Sequence, residues 1–263
     1  MADMRITSRN ARFQQWQAML SNRTKRQRLK QFLVQGVRPI NCARAHGWSF
    51  DALVYNAETR LSNWARDTLA NVDCEHVAMS AELMAELGEK SEQVPELLAV
   101  VNMPVDGLSS IDIGPDFLGV VFDRPGSPGN IGTLVRSADA FGADTVIIAG
   151  HAADPYDPLS IRASTGSVFA VPIVQAGSPA DVVARFRAIQ IVGTDEHAET
   201  DLADVDFSRP TLIVVGNETA GLSRQWRELV HTMARIPMLG TASSLNAATA
   251  GSIVLYEAKR QRR

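Results

Sequence analysis

Three short polar stretches in the second half of the chain carry side chains suited to chemistry. The first holds Asn130 and Arg136, the second is Gly216-Asn217-Glu218, and the third is Ser244-Leu245-Asn246. Each follows an apolar, strand-like segment, and a helical pattern continues after it. Ligands of parallel α/β sheets bind where the strands end, so these stretches predict a binding pocket built from three strand ends.

The first stretch is predicted to be a tight loop that leads into a helix. The loop is rich in proline and glycine, and Asn130 is expected to start the helix. Arg136 lies six residues further, about 600° of helical rotation, so it is not on the same stripe as Asn130. The alternative is structural: Asn130 caps the helix and Arg136 pairs with an acid such as Asp139.

The second and third stretches each have a ligand-binding and a structural interpretation. Gly216 would let a ligand approach the backbone, and Glu218 would accept a hydrogen bond or balance a cation; alternatively, this is an ordinary strand-to-helix turn. A helix rich in small residues is predicted from Leu245, with Ser243 or Ser244 as its cap. Free N–H groups at such a helix start suit a ligand.

The N-terminal segment is strongly basic, although the whole chain has a net charge of -3. Residues 1–44 contain ten Lys and Arg residues and one acid, Asp3, and the chain ends on four more basic residues within 259–263. The basic run consists of Arg23, Lys25, Arg26, Arg28 and Lys30. Such a run predicts a polyanionic partner, most simply nucleic acid; a solvated basic helix is the alternative.

Strand and helix patterns alternate along the whole chain, which predicts an α/β protein with two domains. We expect a small α/β domain over residues 1–102, a linker rich in Pro, Gly, Ser and Asp over 103–115, and a second α/β domain over 116–263. Its apolar strands predict a mostly parallel sheet covered on both faces.

Other sites and locations are disfavoured by the sequence. The N-terminus lacks an apolar signal core, no apolar run is long enough to span a membrane, and Cys42 and Cys74 are isolated, which favours the cytoplasm. The five histidines lack metal-ligand spacing, so no metal is expected. Phosphate-loop, dinucleotide and hydrolase-elbow motifs are missing.

Taken together, the polar stretches resemble the motifs of SpoU-type RNA ribose methyltransferases of the SPOUT superfamily. The matching residues are Asn130-Ile131-Gly132 with Arg136, Gly216-Asn217-Glu218 with Gly221-Leu222, and Ile236-Pro237-Met238 with Ser244-Leu245-Asn246. The resemblance implies a ribosomal-protein-like N-terminal domain that binds RNA and a C-terminal domain with a trefoil knot. It also implies a homodimer and S-adenosylmethionine as the cofactor.

The resemblance assigns roles to individual residues. Those implied at the methyl-transfer centre are Asn130, Arg136, Glu218, Ser244 and Asn246. Those implied to hold the cofactor are Thr194, Gly216, Asn217, Glu218, Ile236, Met238 and Leu245. The basic run would bind RNA phosphates, which give affinity and salt dependence but no sequence specificity.

The implied reaction is 2′-O-methylation of a ribose. The runs DRPGSPGNIG, GHAADPYDP and GTDEH resemble family members that act on a uridine of 23S rRNA, with antibiotic resistance as the result. Two alternatives stay open within the class, a tRNA or an rRNA adenosine as substrate. An alternative from another class is a non-catalytic RNA-binding protein.

Overall fold

The computed structural model describes residues 4–89, 94–105 and 107–262. The chain forms two compact units, Met1–Val105 with Tyr156–Ile161, and Asp106–Pro155 with Arg162–Arg263. The predicted boundaries at 1–102, 103–115 and 116–263 stay a prediction. Asp3, Asp106 of the predicted linker, and Arg263 of the basic C-terminus lie outside the described residues.

The first unit contains a five-stranded sheet of order β1-β4-β3-β5-β2, in which β5 runs antiparallel to both of its neighbours. The strands are β1 Met4–Ile6, β2 Gln31–Gln35, β3 Phe50–Asn56, β4 Glu75–Met79 and β5 Leu97–Asn102. The helices are α1 Ala11–Ser21, α2 Arg23–Leu29, α3 Val37–Ala45, α4 Asn63–Asn71 and α5 Ala81–Gly88. Phe13 and Trp16 of α1 are buried against Val54 and Val77 of the sheet.

The second unit contains a seven-stranded sheet of order β10-β12-β9-β11-β6-β7-β8, and all its pairings are parallel. The strands are β6 Leu118–Asp123, β7 Thr145–Ala149, β8 Ile173–Ala176, β9 Gln190–Thr194, β10 Thr200–Asp201, β11 Thr211–Val215 and β12 Thr232–Arg235. The helices are α6 Pro128–Phe141, α8 Pro179–Phe186, α9 Arg224–Leu229 and α10 Ala247–Gln261, and α7 Pro158–Ser164 belongs to the first unit up to Ile161 and to the second from Arg162. The α/β architecture predicted from the alternating pattern is confirmed.

The central strands of this sheet are buried along their whole length. Every residue of β6, β7 and β11 is buried, as expected for parallel strands covered on both faces. Ile111, from the segment predicted as a linker, belongs to the same core, and Arg185 of α8 donates a hydrogen bond to the carbonyl oxygen of Leu108 at 3.2 Å. This part of the segment is therefore a part of the second unit and of its core.

Candidate functional site

A cleft lies at the carboxyl ends of β9, β11 and β12, which are neighbours in the sheet. We call it the strand-end cleft; it encloses about 720 Å³ of space, part of it open to solvent. Its lining residues are Thr194, Asp195, Glu196, Val215, Gly216, Asn217, Glu218, Thr219, Gly221, Ala234, Ile236, Met238, Ser244, Leu245, Ala247 and Ala250. The set includes all seven residues predicted to hold the cofactor, together with Ser244 from the predicted methyl-transfer centre.

Glu218 connects the turn after β11 with the start of α6. Its carboxylate accepts hydrogen bonds from the backbone N–H groups of Gly126 at 3.0 Å and Ser127 at 3.3 Å. The Asn130 side chain donates a third, with 2.9 Å between Nδ2 and Oε1. The carboxylate thereby fixes the loop that leads into α6 against the turn after β11.

The third stretch joins the same network through Asn246. Its Nδ2 donates to Asn130 Oδ1 at 3.1 Å, while its Oδ1 accepts from the backbone N–H of Thr249 at 3.2 Å. Because each amide uses its oxygen and its nitrogen toward different partners, Glu218, Asn130 and Asn246 form one ordered chain of hydrogen bonds. The structure therefore brings together one residue from each of the three motifs.

The environment of Glu218 keeps it ionised. Partial burial raises its pKa, but the hydrogen bonds from the Asn130 side chain and from backbone N–H groups outweigh burial, so the net shift of the Glu218 pKa is downward. Glu218 is consequently a carboxylate at neutral pH and serves as an acceptor and a fixed negative charge.

Two predicted helix starts are wrong by a few residues. Helix α10 begins at Ala247 and is capped by Asn246, where Ser243 or Ser244 and a start at Leu245 were predicted. Helix α6 is capped by Ser127, so Asn130 lies within its first turn instead of starting it. Both corrections free side chains for other roles: Ser244 lines the strand-end cleft, and the Asn130 amide is available to Glu218.

The absence of a side chain at Gly216 is required by the chain itself. A Cβ atom at this position would lie 2.4 Å from the carbonyl carbon of Gly221 and 2.5 Å from the nitrogen of Leu222. Asn217 and Gly221 exchange two backbone hydrogen bonds of 3.0 Å, which fold the turn back onto the strand end. Glycine at position 216 is therefore needed for the close packing of the turn against the strand end, in addition to the predicted approach of a ligand.

The small residues of α10 serve close packing against α6 and the sheet. A Cβ atom at Gly251 would lie 2.5 Å from Leu134 Cδ1 and 3.2 Å from Val215 Cγ2. At the next residue of α10, the hydroxyl group of Ser252 lies 2.6 Å from that of Ser137 on α6. The two helices that carry Asn130 and Asn246 are thus held at short range.

Arg136 is placed differently from the other predicted methyl-transfer residues. It is exposed on α6, and its side chain forms no hydrogen bond or ion pair with another described residue. Asp139, its alternative partner, instead accepts a hydrogen bond from the Ser167 hydroxyl at 2.6 Å. The guanidinium of Arg136 is therefore available to a partner outside the described residues.

The sequence interpretation missed a buried acid that holds the turn after β11. Asp123, at the end of β6, is 1% exposed and accepts hydrogen bonds from the Arg124 side chain and from the backbone N–H of Ser223 at 2.8 Å. Arg124 also donates to the carbonyl oxygen of Gly221 at 3.1 Å. The available signal was a charged residue directly after a buried apolar strand.

The basic run forms helix α2 and its C-terminal cap. Arg28 and Lys30 are exposed, and Arg23 and Lys25 are half-buried. Arg26 is 2% exposed; it donates to the carbonyl oxygen of Met19 at 2.6 Å and pairs with Asp157 at 3.1 Å. The prediction that Arg26 binds RNA phosphates conflicts with this burial, and Arg26 instead stabilises the first unit.

Two negative findings apply to residues 4–89, 94–105 and 107–262. Within these ranges, no three His, Cys, Asp or Glu side chains are grouped so that they could hold a metal ion. In the same ranges, every helix is too short or too polar to span a membrane.

Known proteins resemble this chain over nearly its whole length. A 23S rRNA (uridine(2479)-2′-O)-methyltransferase of Streptomyces viridochromogenes is 57% identical over 99% of this chain and 93% of the relative. An uncharacterized tRNA/rRNA methyltransferase of Synechocystis is 30% identical over 88% of this chain and 84% of the relative.

Solved structures show the same fold. The SpoU methyltransferase AviRb of S. viridochromogenes, crystallised with the cofactor AdoMet, superposes with a TM-score of 0.92 at 56% identity and covers 97% of this chain and 98% of its own. An AdoMet-bound rRNA methyltransferase of Sinorhizobium meliloti gives a TM-score of 0.87 at 29% identity and covers 97% of both chains.

Family profiles match both halves of the chain. Residues 10–99 match the SpoU L30e-like domain, and residues 118–256 match the SpoU rRNA Methylase family. These matches agree with the motif residues and with the hydrogen-bonded chain that connects them. The protein belongs to the SpoU rRNA Methylase family.

Proposed function

We propose that this protein transfers a methyl group from S-adenosylmethionine to a ribose 2′-hydroxyl of a uridine in 23S rRNA, and that this modification confers resistance to a ribosome-targeting antibiotic. The observation that carries the proposal is the hydrogen-bonded chain Glu218-Asn130-Asn246, which connects all three family motifs beside the strand-end cleft. The 57% identity to a 23S rRNA uridine methyltransferase supports this choice of substrate.

The strand-end cleft fits the proposed cofactor in charge and polarity. The carboxylates of Glu196 and Glu218 line it and suit a cationic ligand, whereas the charge of Asp195, which also lines it, is balanced by Arg227. Apolar groups, among them Ile236, Met238 and Leu245, suit a heteroaromatic ring. When bound, S-adenosylmethionine supplies an activated methyl group on its sulfonium.

The residues beside the cleft orient the nucleophile and stabilise charge. Methyl transfer is an in-line displacement, so the ribose oxygen must be held on the axis of the breaking bond. Ser244 and Asn246 hold the ribose, and Glu218 keeps the Asn130–Asn246 pair in place. Arg136 binds the target phosphate and stabilises the developing alkoxide.

The first unit binds the RNA through α2. Its exposed cations, Arg28 and Lys30, contact phosphates together with the half-buried Arg23 and Lys25. Choice of a single nucleotide depends on RNA shape and unpaired bases, because phosphate contacts carry no sequence information.

The proposal includes a cytoplasmic homodimer that needs no metal and has a trefoil knot in its second unit. Exposed large apolar side chains support the dimer: Leu239 is fully exposed and Tyr256 is 51% exposed. The Tyr256 ring contacts Phe141 of α6 edge-on, with centroids 5.8 Å apart. Burial of these side chains in a dimer would remove them from water.

The decisive experiment incubates the protein with tritium-labelled S-adenosylmethionine and 23S rRNA, then maps 2′-O-methylation by primer extension. Incorporation at one uridine of 23S rRNA is expected. A parallel reaction with tRNA in place of rRNA tests the alternative substrate. Incorporation into tRNA, or at an adenosine of rRNA, would show that the proposed substrate is wrong. RNA binding without incorporation of methyl groups would overturn the enzymatic function.

A further inference from the structure

Arg227, which belongs to none of the three motifs, ties together two walls of the strand-end cleft. It lies on α9, and its guanidinium forms an ion pair with the carboxylate of Asp195. Its Nε also donates to the carbonyl oxygen of Leu222 at 3.3 Å. Asp195 follows β9, and Leu222 ends the turn that follows β11, so one side chain bridges the segments after two neighbouring strands.

The two members of the ion pair differ in burial. The Asp195 side chain is 8% exposed and lines the strand-end cleft, whereas the Arg227 side chain is 47% exposed and approaches from outside. The other carboxylate oxygen of Asp195 accepts a hydrogen bond from the backbone N–H of His197 at 2.8 Å. A buried carboxylate that loses its cation is strongly destabilised, so without Arg227 the segment around Asp195 would rearrange.

The guanidinium is suited to this double contact. Its planar fork donates to a carboxylate and to a backbone carbonyl at the same time, which an ammonium on a flexible stem does less well. A second arginine contacts the same turn, since Arg124 donates to the carbonyl oxygen of Gly221 at 3.1 Å. The turn after β11 is thus held by two arginines, of which Arg227 also contacts Asp195.

We infer that Arg227 is a positioning residue for cofactor binding. It fixes the position of Asp195 relative to the Gly221–Leu222 turn. It is not among the residues that line the strand-end cleft, so it acts through its two partners. The inference rests on the proposed binding of S-adenosylmethionine in this cleft.

The test measures the affinity of purified protein for S-adenosylmethionine by isothermal titration calorimetry. Arg227→Ala is expected to raise Kd between about 2-fold and 30-fold, the range for residues that act on a ligand without touching it. Arg227→Lys should recover part of the loss, since it restores the charge. Arg224→Ala is the matched control, because Arg224 lies on the same helix, is 93% exposed and pairs only with Glu228 in the described part of the chain.

A double-mutant cycle and steady-state kinetics separate positioning from general destabilisation. In an Asp195→Asn background, Arg227→Ala should have a much smaller effect on Kd, and in the wild-type background it should raise KM for S-adenosylmethionine more than it lowers kcat. An unchanged Kd, or equal effects in both backgrounds, would overturn the inference. If the wild-type protein itself failed to bind S-adenosylmethionine, the proposed function would fail instead.

Discussion

The Asn246 side chain donates a hydrogen bond to Asn130 across 3.1 Å, although the two residues are 116 positions apart in sequence. This contact closes the chain of hydrogen bonds that begins at Glu218. Asn246 also caps α10, so the position of its amide is determined by the start of that helix. A displacement of α10 against α6 would therefore be transmitted to the carboxylate in the strand-end cleft.

Removal of the side-chain amide of Asn130, the middle residue of the hydrogen-bonded chain, should reduce catalytic activity more than it reduces stability. Asn130→Ala deletes the hydrogen bonds to Glu218 and from Asn246, and we expect kcat/KM to fall about 100-fold because the reacting groups lose their alignment. The stability loss should be only about 1 kcal/mol, since the site is partly exposed. Thr133→Ala on the same helix is the control, and equal losses of activity in both variants would argue against the alignment role.

Arg136 should matter for transfer but not for cofactor binding. Because its exposed guanidinium has no described partner within the protein, Arg136→Ala should leave Kd for S-adenosylmethionine within about twofold and lower the methylation rate about 100- to 1000-fold. Arg136→Lys keeps the positive charge but loses the planar guanidinium that donates two hydrogen bonds at once, so this variant should recover only part of the methylation rate. Single-turnover rates at saturating RNA measure this, and full activity of the alanine variant would refute the role.

Substitutions in the basic helix α2 and its cap should affect RNA affinity or protein stability, depending on which residue is changed. Changing Lys25, Arg28 and Lys30 together to Gln should weaken rRNA binding and reduce the slope of log K against log salt by about 2 to 3. Arg26→Ala should instead lower the free energy of unfolding, by about 3 kcal/mol, because it removes the cation of an ion pair in which Arg26 is buried. Filter binding across a salt series, with urea unfolding, distinguishes these effects; an unchanged salt slope would move the RNA contact elsewhere.

The sequence predicted two of the three strand ends that form the cleft, those of β11 and β12, because polar and glycine-rich stretches after apolar strands are a local signal. The stretch after β6 contacts Glu218 but does not line the cleft, and the end of β9 was indicated only by the family resemblance, through Thr194. It did not predict the caps correctly, since Ser243, Ser244 and Asn246 are all capable of capping and only the path of the chain selects Asn246. The same limit applies at α6, which Ser127 caps and which begins at Pro128, although the helix was expected to start at Asn130.

Contacts between distant parts of the chain were beyond prediction. Arg26 looks like any surface cation in its basic run, and its burial depends on Asp157, which is 131 residues away. Arg227 likewise gives no sequence signal, because its significance comes from Asp195 on a different strand end. These side chains acquire their roles only when the tertiary structure supplies their partners.

Gly216 should tolerate no side chain. Gly216→Ala would place a Cβ atom 2.4 Å from the Gly221 carbonyl carbon, which forces the turn after β11 to shift. We expect about 1 to 3 kcal/mol of lost stability and clearly weaker binding of S-adenosylmethionine. Gly240→Ala is the matched control, because a Cβ atom there would have no neighbour within 4 Å. Thermal unfolding and calorimetry test this, and equal behaviour of the two variants would contradict the packing argument.

The lowered pKa of Glu218 predicts how stability depends on pH. Burial opposes ionisation, but the hydrogen bonds from Asn130, Gly126 and Ser127 dominate, so the folded-state pKa lies below the ordinary value of 4.5. For a carboxylate with a depressed pKa, the stabilisation is fully present above the unfolded-state pKa and is lost as pH falls through the folded-state pKa.

The comparison of wild type with Glu218→Gln should isolate this contribution. The difference in free energy of unfolding between the two proteins should be constant from pH 6 to 8 and shrink below about pH 4.5, because the Glu218 carboxylate of the unfolded chain takes up its proton at a higher pH than that of the folded protein. Urea unfolding across this range measures it, with Glu196→Gln, a half-exposed carboxylate in the same cleft, as the control. A difference that changes between pH 6 and 8 would mean that Glu218 titrates near neutrality, and the assignment of a permanent negative charge to it would then be wrong.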